Sequence, residues 1–229
     1  MILELHPDLR IQQLTVGIEQ APLLVIDNFV ADADRLVRKA ASKPFGKTPE
    51  LFPGIRTQAP LNYPVLFEGR LKPLILTFFK REDRPLRFSL CHYSLVTAPP
   101  AELGLLQRIP HFDSLDGNGL ASVHYLFKAD LGGTAFYRHR KTGFEYIDAS
   151  RKEAYFRSLE SESGSANVPA AEYINGDTPL FEQIAKQDGV FNRILIYRRN
   201  SLHSGCISKD FIPDHNPLTG RLSINSFID

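Results

Sequence analysis

The sequence predicts a mainly β fold, one barrel-like domain with helical support at its N-terminal end. Three observations carry this. Short apolar or alternating runs recur through the second half of the chain, and turn signals such as 116–119 (DGNG) and the Gly132-Gly133 pair separate them. Helical patterning is confined to the first 85 residues and to one later stretch. Hydrophobic residues make up 43% of the 229 and charged residues 23%, enough to bury a core in a chain of this length.

The elements run in order along the chain. Residues 22–30 (PLLVIDNFV) form a buried strand. Asp32 caps a helix over 33–42 with Leu36, Val37 and Ala40 on one face. Pro44, Pro49, Pro53, Pro60 and Pro64 break the next segment into irregular loop. A second helix covers about 65–79, started or kinked by Pro73. Strands are then expected over 87–97, 104–109, 120–127, 134–139, 190–198 and 221–228. The last alternates, with Leu222 and Ile224 on one face and Ser223, Asn225 and Phe227 on the other. Between them, 150–187 reads as a mainly helical insertion, interrupted at 161–166 (SESGSA). The division is therefore a single domain over 1–229, with an N-terminal strand and supporting helices in 1–85 and the strand-rich core in 86–229.

Charge and cysteine content narrow the function. Lys plus Arg number 27 and Asp plus Glu 26, so there is no basic excess for gripping nucleic acid phosphates. Cys91 and Cys206 cannot build a disulfide framework or a four-cysteine zinc site. Residues 1–20 hold no signal-peptide apolar block and no run is long enough to span a membrane, so a cytoplasmic protein is expected.

Seven histidines are enough for a site of imidazole and carboxylate. The sharpest local feature is Pro110-His111-Phe112-Asp113. Side chains at i and i+2 of a strand share a face, so His111 and Asp113 can converge on one metal ion. His203, just beyond the strand at 190–198, supplies a second imidazole. Two histidines and one carboxylate form a facial triad that leaves open positions on non-haem Fe(II). A His–Asp hydrogen bond at a strand end is the plainer reading of the tripeptide. On the last strand Arg221 and Ser223 share a face, and an arginine there offers a carboxylate a bidentate, permanently charged partner. Tyr125 can reach the same anion with its phenol. The plainer alternatives are an Arg221 paired with a nearby acid and a Tyr125 buried in the core.

These segments, in this order, resemble the Fe(II)/2-oxoglutarate-dependent oxygenases, particularly their prolyl-hydroxylase-like branch. PLLVIDNFV and the helix after it are similar to that branch's opening elements. PHFDSLDGNGLASVHYLF is similar to its metal strand, glycine turn and following strand, and GGTAF to the next turn and strand. FNRILIYRRNSLHSG is similar to the approach to the distal histidine, and RLSINSFID to the closing strand. The closing half also resembles an uncharacterised bacterial group within the superfamily. The resemblance implies a double-stranded β-helix core (jelly-roll, cupin-like). It implies Fe(II) held by His111, Asp113 and His203, and 2-oxoglutarate bound by Arg221 with Tyr125, Ser223 and Tyr93 lining its pocket. The loop from His203 to Arg221, with Pro213, Pro217 and Gly220, is longer than usual in the family and reads as an insertion near the site mouth.

The implied reaction oxidises an unidentified substrate, a small molecule, amino acid, peptide or protein side chain, with release of succinate and CO2. Retention of Asp113 favours hydroxylation or desaturation over halogenation. Two other readings fit the same residues: a cupin-type metal enzyme that does not use 2-oxoglutarate, and a non-catalytic binding module on the same barrel. Arg138, His139 and Arg198 are weighed as substrate contacts against rim or structural roles, and Cys206 as a packed small residue. His92 and His124 point opposite their neighbours Tyr93 and Tyr125 by strand alternation.

Overall fold

The computed structural model describes residues 2–47, 51–81, 85–162, 164 and 167–229. Eleven strands and three α-helices are assigned among them: β1 Arg10–Val16, β2 Ala21–Asp27, α1 Ala33–Ala41, β3 Gly46–Lys47, β4 Gly54–Gln58, α2 Leu71–Phe78, β5 Phe88–Val96, β6 Leu120–Tyr125, β7 Gly133–His139, α3 Lys152–Glu162, β8 Phe181–Gln187, β9 Ile194–Arg198, β10 His203–Cys206 and β11 Leu222–Ile228. The strands form an eight-stranded sheet ordered β1-β2-β9-β6-β11-β5-β4-β3 and a three-stranded sheet ordered β10-β7-β8. All the strand pairings are antiparallel.

The central strands of the large sheet are buried on both faces, which explains their apolar runs. On one face Leu24, Ile26, Tyr93, Ile194, Ile196, Leu222 and Ile224 pack against Leu36, Val37, Phe67 and Ile75 of the helical layer. On the other, Leu23, Val25, Tyr125, Leu195 and Tyr197 meet Phe136 of the small sheet. Asp32 caps α1, its side chain accepting from the Arg35 N–H at 2.9 Å, a contact worth about 1 kcal/mol. The Gly132-Gly133 turn is required by crowding. A Cβ on Gly132 would lie 2.0 Å from the Cys206 carbonyl and one on Gly133 1.9 Å from that of Gln187, so only glycine lets β7 start between β10 and β8.

Several expectations are corrected. The chain before Ala21 contains β1, an edge strand whose side chains mostly face solvent. The proline-rich stretch holds β3 and β4, so the first 85 residues add four strands to the large sheet rather than one. The helix expected over 65–79 is a 3₁₀ turn, Tyr63–Phe67, then α2, with Gly69 at φ +61° between them. Pro73 sits in the first turn of α2, where its missing N–H would have had no partner. The strand expected over 104–109 is instead a 3₁₀ turn at Leu105–Gln107. In the expected helical insertion, α3 is the one α-helix among the described residues of 150–187, and Phe181–Gln187 is β8. His203 opens a strand of its own, β10. No helix among the described residues is long and apolar enough to cross a membrane.

Candidate metal centre

His111 and His203 face each other as an isolated antiparallel bridge, each N–H donating to the other's carbonyl at 2.9 Å. That mutual exchange is a hydrogen-bonded pair, and it brings the two rings within 4.4 Å centroid to centroid. Asp113 comes two residues later and is pinned by its N–H to the Arg199 carbonyl at 2.7 Å. Phe112 points the other way, against Tyr155 and Phe156 of α3. The alternation expected of an extended segment therefore holds, although 110–113 contributes a single bridge and not a strand.

Three ligand atoms converge. Asp113 Oδ1 lies 3.8 Å from His111 Nε2, and Asp113 Oδ2 3.6 Å from His203 Nε2. All three side chains offer a ligand atom within 4.8 Å of the others. These separations are too long for good hydrogen bonds and suit three donors around one ion. His203 Nδ1 lies 2.9 Å from the Ser201 carbonyl, which can only accept, so that nitrogen carries the proton and Nε2 keeps its lone pair for a metal. The His111 imidazole is held below its ordinary pKa, mainly by desolvation, then by His203, with Asp113 opposing. Neutral imidazole is the ligating form. Tyr197 packs edge-on to the His203 ring at 4.7 Å, and Phe136 tilts against it at 6.4 Å. They form an apolar wall on one side of the site.

Arg221 is 6% exposed. Its Nε donates to the Leu131 carbonyl at 2.9 Å and its Nη2 to that of Gly133 at 2.8 Å, while Phe127 lies 5.4 Å below the guanidinium. It makes no ion pair with a carboxylate among the described residues, so the plain alternative of a nearby acid is not met. Burial lowers its pKa, with Tyr125 first among the groups that oppose. A guanidinium nevertheless stays charged, and burying that charge beside carbonyls alone is costly without an anion. Gly205 lies beside it: a Cβ there would come 3.7 Å from Arg221 Nη2, an ordinary contact distance. Gly205 lies two residues along β10 from His203, about 7 Å at the rise of a strand, and strand alternation gives both residues the same side.

The other expected residues separate. Tyr125 is fully buried and its hydroxyl shares a 2.7 Å hydrogen bond with Thr134 Oγ1. Ser223 pairs in register with Tyr125 and so shares its face, and its hydroxyl donates to Asn225 Oδ1 at 2.7 Å. Tyr93 is a correction. Ser223 pairs with Ser94, which puts Tyr93 on the opposite face with Ile224. Its hydroxyl donates to the Leu36 carbonyl at 2.9 Å, inside the helical layer. Its neighbour His92 therefore takes the inner face. His124, opposite Tyr125, is buried among the helices beside Tyr63 Oη at 3.0 Å and Asn192 Oδ1 at 3.1 Å. Arg138 is consumed by Glu145 and Glu182, Arg198 by the carbonyls of Gly117 and Phe79, and His139 by Thr142 and Glu162. Cys206 packs in the core.

Three residues of this region were not anticipated: Thr134, Arg56 on β4, and His92 as an inward group. The β-branched pair Ile55 and Thr57 flanking Arg56 was the available signal for β4.

The chain is similar to several solved structures. HygX from Streptomyces hygroscopicus, crystallised with nickel and 2-oxoglutarate bound, is 13% identical with a TM-score of 0.52, over 92% of this chain and 83% of that one. The same protein with nickel, 2-oxoglutarate and hygromycin B bound is 12% identical at a TM-score of 0.50, over the same shares. An N-substituted L-amino acid dioxygenase from Burkholderia ambifaria AMMD, in complex with alpha-KG, is 12% identical at 0.45, over 97% and 95%. No curated protein matches the chain. One family model does, over residues 7–228, and the chain thus belongs to the family of unknown function DUF6445.

Proposed function

We propose that this chain is a non-haem Fe(II)- and 2-oxoglutarate-dependent oxygenase of the prolyl-hydroxylase-like branch, a single domain whose two sheets are a double-stranded β-helix, and that it hydroxylates a substrate yet to be identified. One observation carries the reading. A two-histidine, one-carboxylate cluster and a buried arginine with no acid partner among the described residues meet at β10, where His203 of the cluster and Gly205, the neighbour of Arg221, are two residues apart. Likeness in fold to HygX, a protein crystallised with nickel, 2-oxoglutarate and hygromycin B, supports it and favours a small-molecule substrate.

The residues divide the work. His111, Asp113 and His203 would hold Fe(II), two neutral imidazoles and one carboxylate leaving positions open. When bound, Fe(II) and 2-oxoglutarate would supply, with O2 as the oxidant, oxidative decarboxylation coupled to oxidation of the second substrate, one oxygen atom going to succinate and the other to the hydroxylated product, with release of CO2. Arg221 receives the far carboxylate of 2-oxoglutarate, its orientation fixed by the Leu131 and Gly133 carbonyls. Tyr125 is held by Thr134 against the same anion, and Ser223 completes that side of the pocket. Phe136 and Tyr197 exclude water from the imidazole of His203.

The test is succinate formation from 2-oxoglutarate with Fe(II), read with metal content. Asp113→Ala and His111→Ala are expected to lose both the bound metal and succinate formation, with the fold intact by circular dichroism. Metal retained at the wild-type level in both variants would sink the assignment.

A further inference from the structure

The segment that carries two of the three metal ligands packs in two directions. His111 and Asp113 turn toward His203. Ile109, Phe112 and Leu115 instead join the apolar cluster of Tyr137, Ile147, Tyr155 and Leu159, the last two from α3. Phe112 is the member of that set that lies between two ligands. Its ring meets those of Tyr155 and Phe156, each at 6.3 Å, and these two meet each other edge-on at 5.4 Å. One face of α3 therefore backs the metal segment from the side away from the metal.

The three ligands are oriented by different means. The His203 ring is fixed by its hydrogen bond to the Ser201 carbonyl. Among the described residues no hydrogen bond orients the His111 ring or the Asp113 carboxylate, whose polar neighbours are each other and His203. Metal ligands are ordinarily aimed by such outer hydrogen bonds. Here the backbone is held by the His111–His203 bridge and the Arg199 carbonyl, and packing at residue 112 has to set the direction of the side chains on either side. The helix that supplies the packing is itself tied down at both ends. Arg151, just before α3, pairs with Glu19 at 2.6 Å, and Glu162 Oε2 at the far end of α3 lies 3.2 Å from His139 Nε2 on β7. Between them Tyr155 is 2% exposed and packs edge-on to the His139 ring at 5.3 Å.

We propose that Phe112 is a positioning residue for the metal ligands and that α3, through Tyr155 and Phe156, is the buttress that fixes it. The inference rests on the metal-centre reading of His111, Asp113 and His203, and not on which cosubstrate the metal takes. Residues 111 and 113 share a face, so a rotation of the backbone at 112 swings both ligands together. A void beside α3 is thereby passed to two ligands at once, while His203 on its own strand stays in place. Ile109 packs in the same cluster but is not flanked by ligands, so its packing supports the fold and leaves the metal geometry alone.

The experiment titrates the full chain with Co(II), whose visible absorption bands report the geometry of its ligands, and reads affinity by calorimetry and stability by denaturation. Phe112→Ala is expected to weaken Co(II) binding about tenfold, the low end of what loss of support around a metal ligand costs, and to change the bands. Phe112→Leu, which refills the space, is expected to restore most of both. Ile109→Ala is expected to lose comparable stability with Co(II) affinity within about twofold of wild type and the bands unchanged. Tyr155→Ala is expected to weaken Co(II) binding in the wild-type background and to add little in Phe112→Ala, because it acts through that ring. If Phe112→Ala does not fold, Phe156→Ala, which removes a side chain already 40% exposed, is expected to move affinity and bands in the same direction with stability kept. Wild-type affinity and bands in the folded variants overturn the proposal, as does an Ile109→Ala variant that perturbs Co(II) as much as Phe112→Ala, or full additivity of Phe112→Ala and Tyr155→Ala. A wild-type chain that binds no Co(II) is a different result: it removes the metal-centre reading and this proposal with it, whereas wild-type binding with indifferent variants removes the positioning role alone.

Discussion

Two arginines with mostly buried side chains show how differently this molecule treats a cation. Arg138 on β7 donates to Glu145 at 2.8 and 2.5 Å and to Glu182 at 2.8 Å. Glu145, 3% exposed, also accepts the N–H groups of Ile18 and Glu19, so this cluster clips the β1–β2 turn to the end of β7. Its charges are answered within the chain. Among the described residues, Arg221 at the head of β11 is answered by two carbonyls and an aromatic face. The first arrangement holds the fold together. The second leaves a buried charge without a carboxylate among the described residues, which is what the proposed anion site requires.

The largest effects should separate the two regions cleanly. Arg221→Ala is expected to weaken 2-oxoglutarate binding by about 3 kcal/mol, on the order of a hundredfold, with the thermal midpoint little changed. Glu145→Ala should do the reverse. It leaves two backbone N–H groups unpaired and Arg138 with Glu182 as its one remaining carboxylate among the described residues, and should destabilise the fold by about 3 kcal/mol, while 2-oxoglutarate affinity stays near wild type. Calorimetry and chemical denaturation on both variants check the pair. Equal losses of affinity and stability in both would erase the distinction.

A pH effect extends the contrast to the helical side. His124 is fully buried and its pKa is lowered to about 4, chiefly by desolvation. The unfolded chain takes up this proton first, so the stability contribution is complete above about 6.5 and is lost as pH falls toward 4. At 1.36 kcal/mol per unit the loss approaches about 3 kcal/mol. Denaturant titrations at pH 7 and pH 4.5 should show a loss that His124→Gln reduces. The smallest expected effect is that of Tyr93→Phe, which removes one buried hydrogen bond to Leu36 and should cost about 1 kcal/mol of stability without moving 2-oxoglutarate affinity. A drop in affinity there would return Tyr93 to the site.

Much of this was legible in the sequence, for physical reasons. His111 and Asp113 are two apart, and a period of two is a local property that needs no partner strand. The strands that ran apolar, β2, β5, β6 and β9, are those buried on both faces. The failures were non-local. Whether Tyr93 or His92 faces the site depends on β5 pairing Ser94 with Ser223, and alternation alone cannot set the phase of one strand against another. β1 escaped notice because it is an exposed edge, and β4 because prolines flank a run of five residues. β8 reads as helix, since Glu182, Gln183, Ala185, Lys186 and Gln187 favour helix, yet pairing with β7 overrides that preference.

Arg221 and the metal ligands are proposed to bind 2-oxoglutarate together, and everything said of the reaction depends on that. Calorimetry of 2-oxoglutarate into the wild-type chain, with and without Mn(II) standing in for Fe(II), is the decisive measurement. Saturable one-to-one binding that requires the metal is expected. Absence of binding with the metal present, or equal binding without it, would refute the joint site.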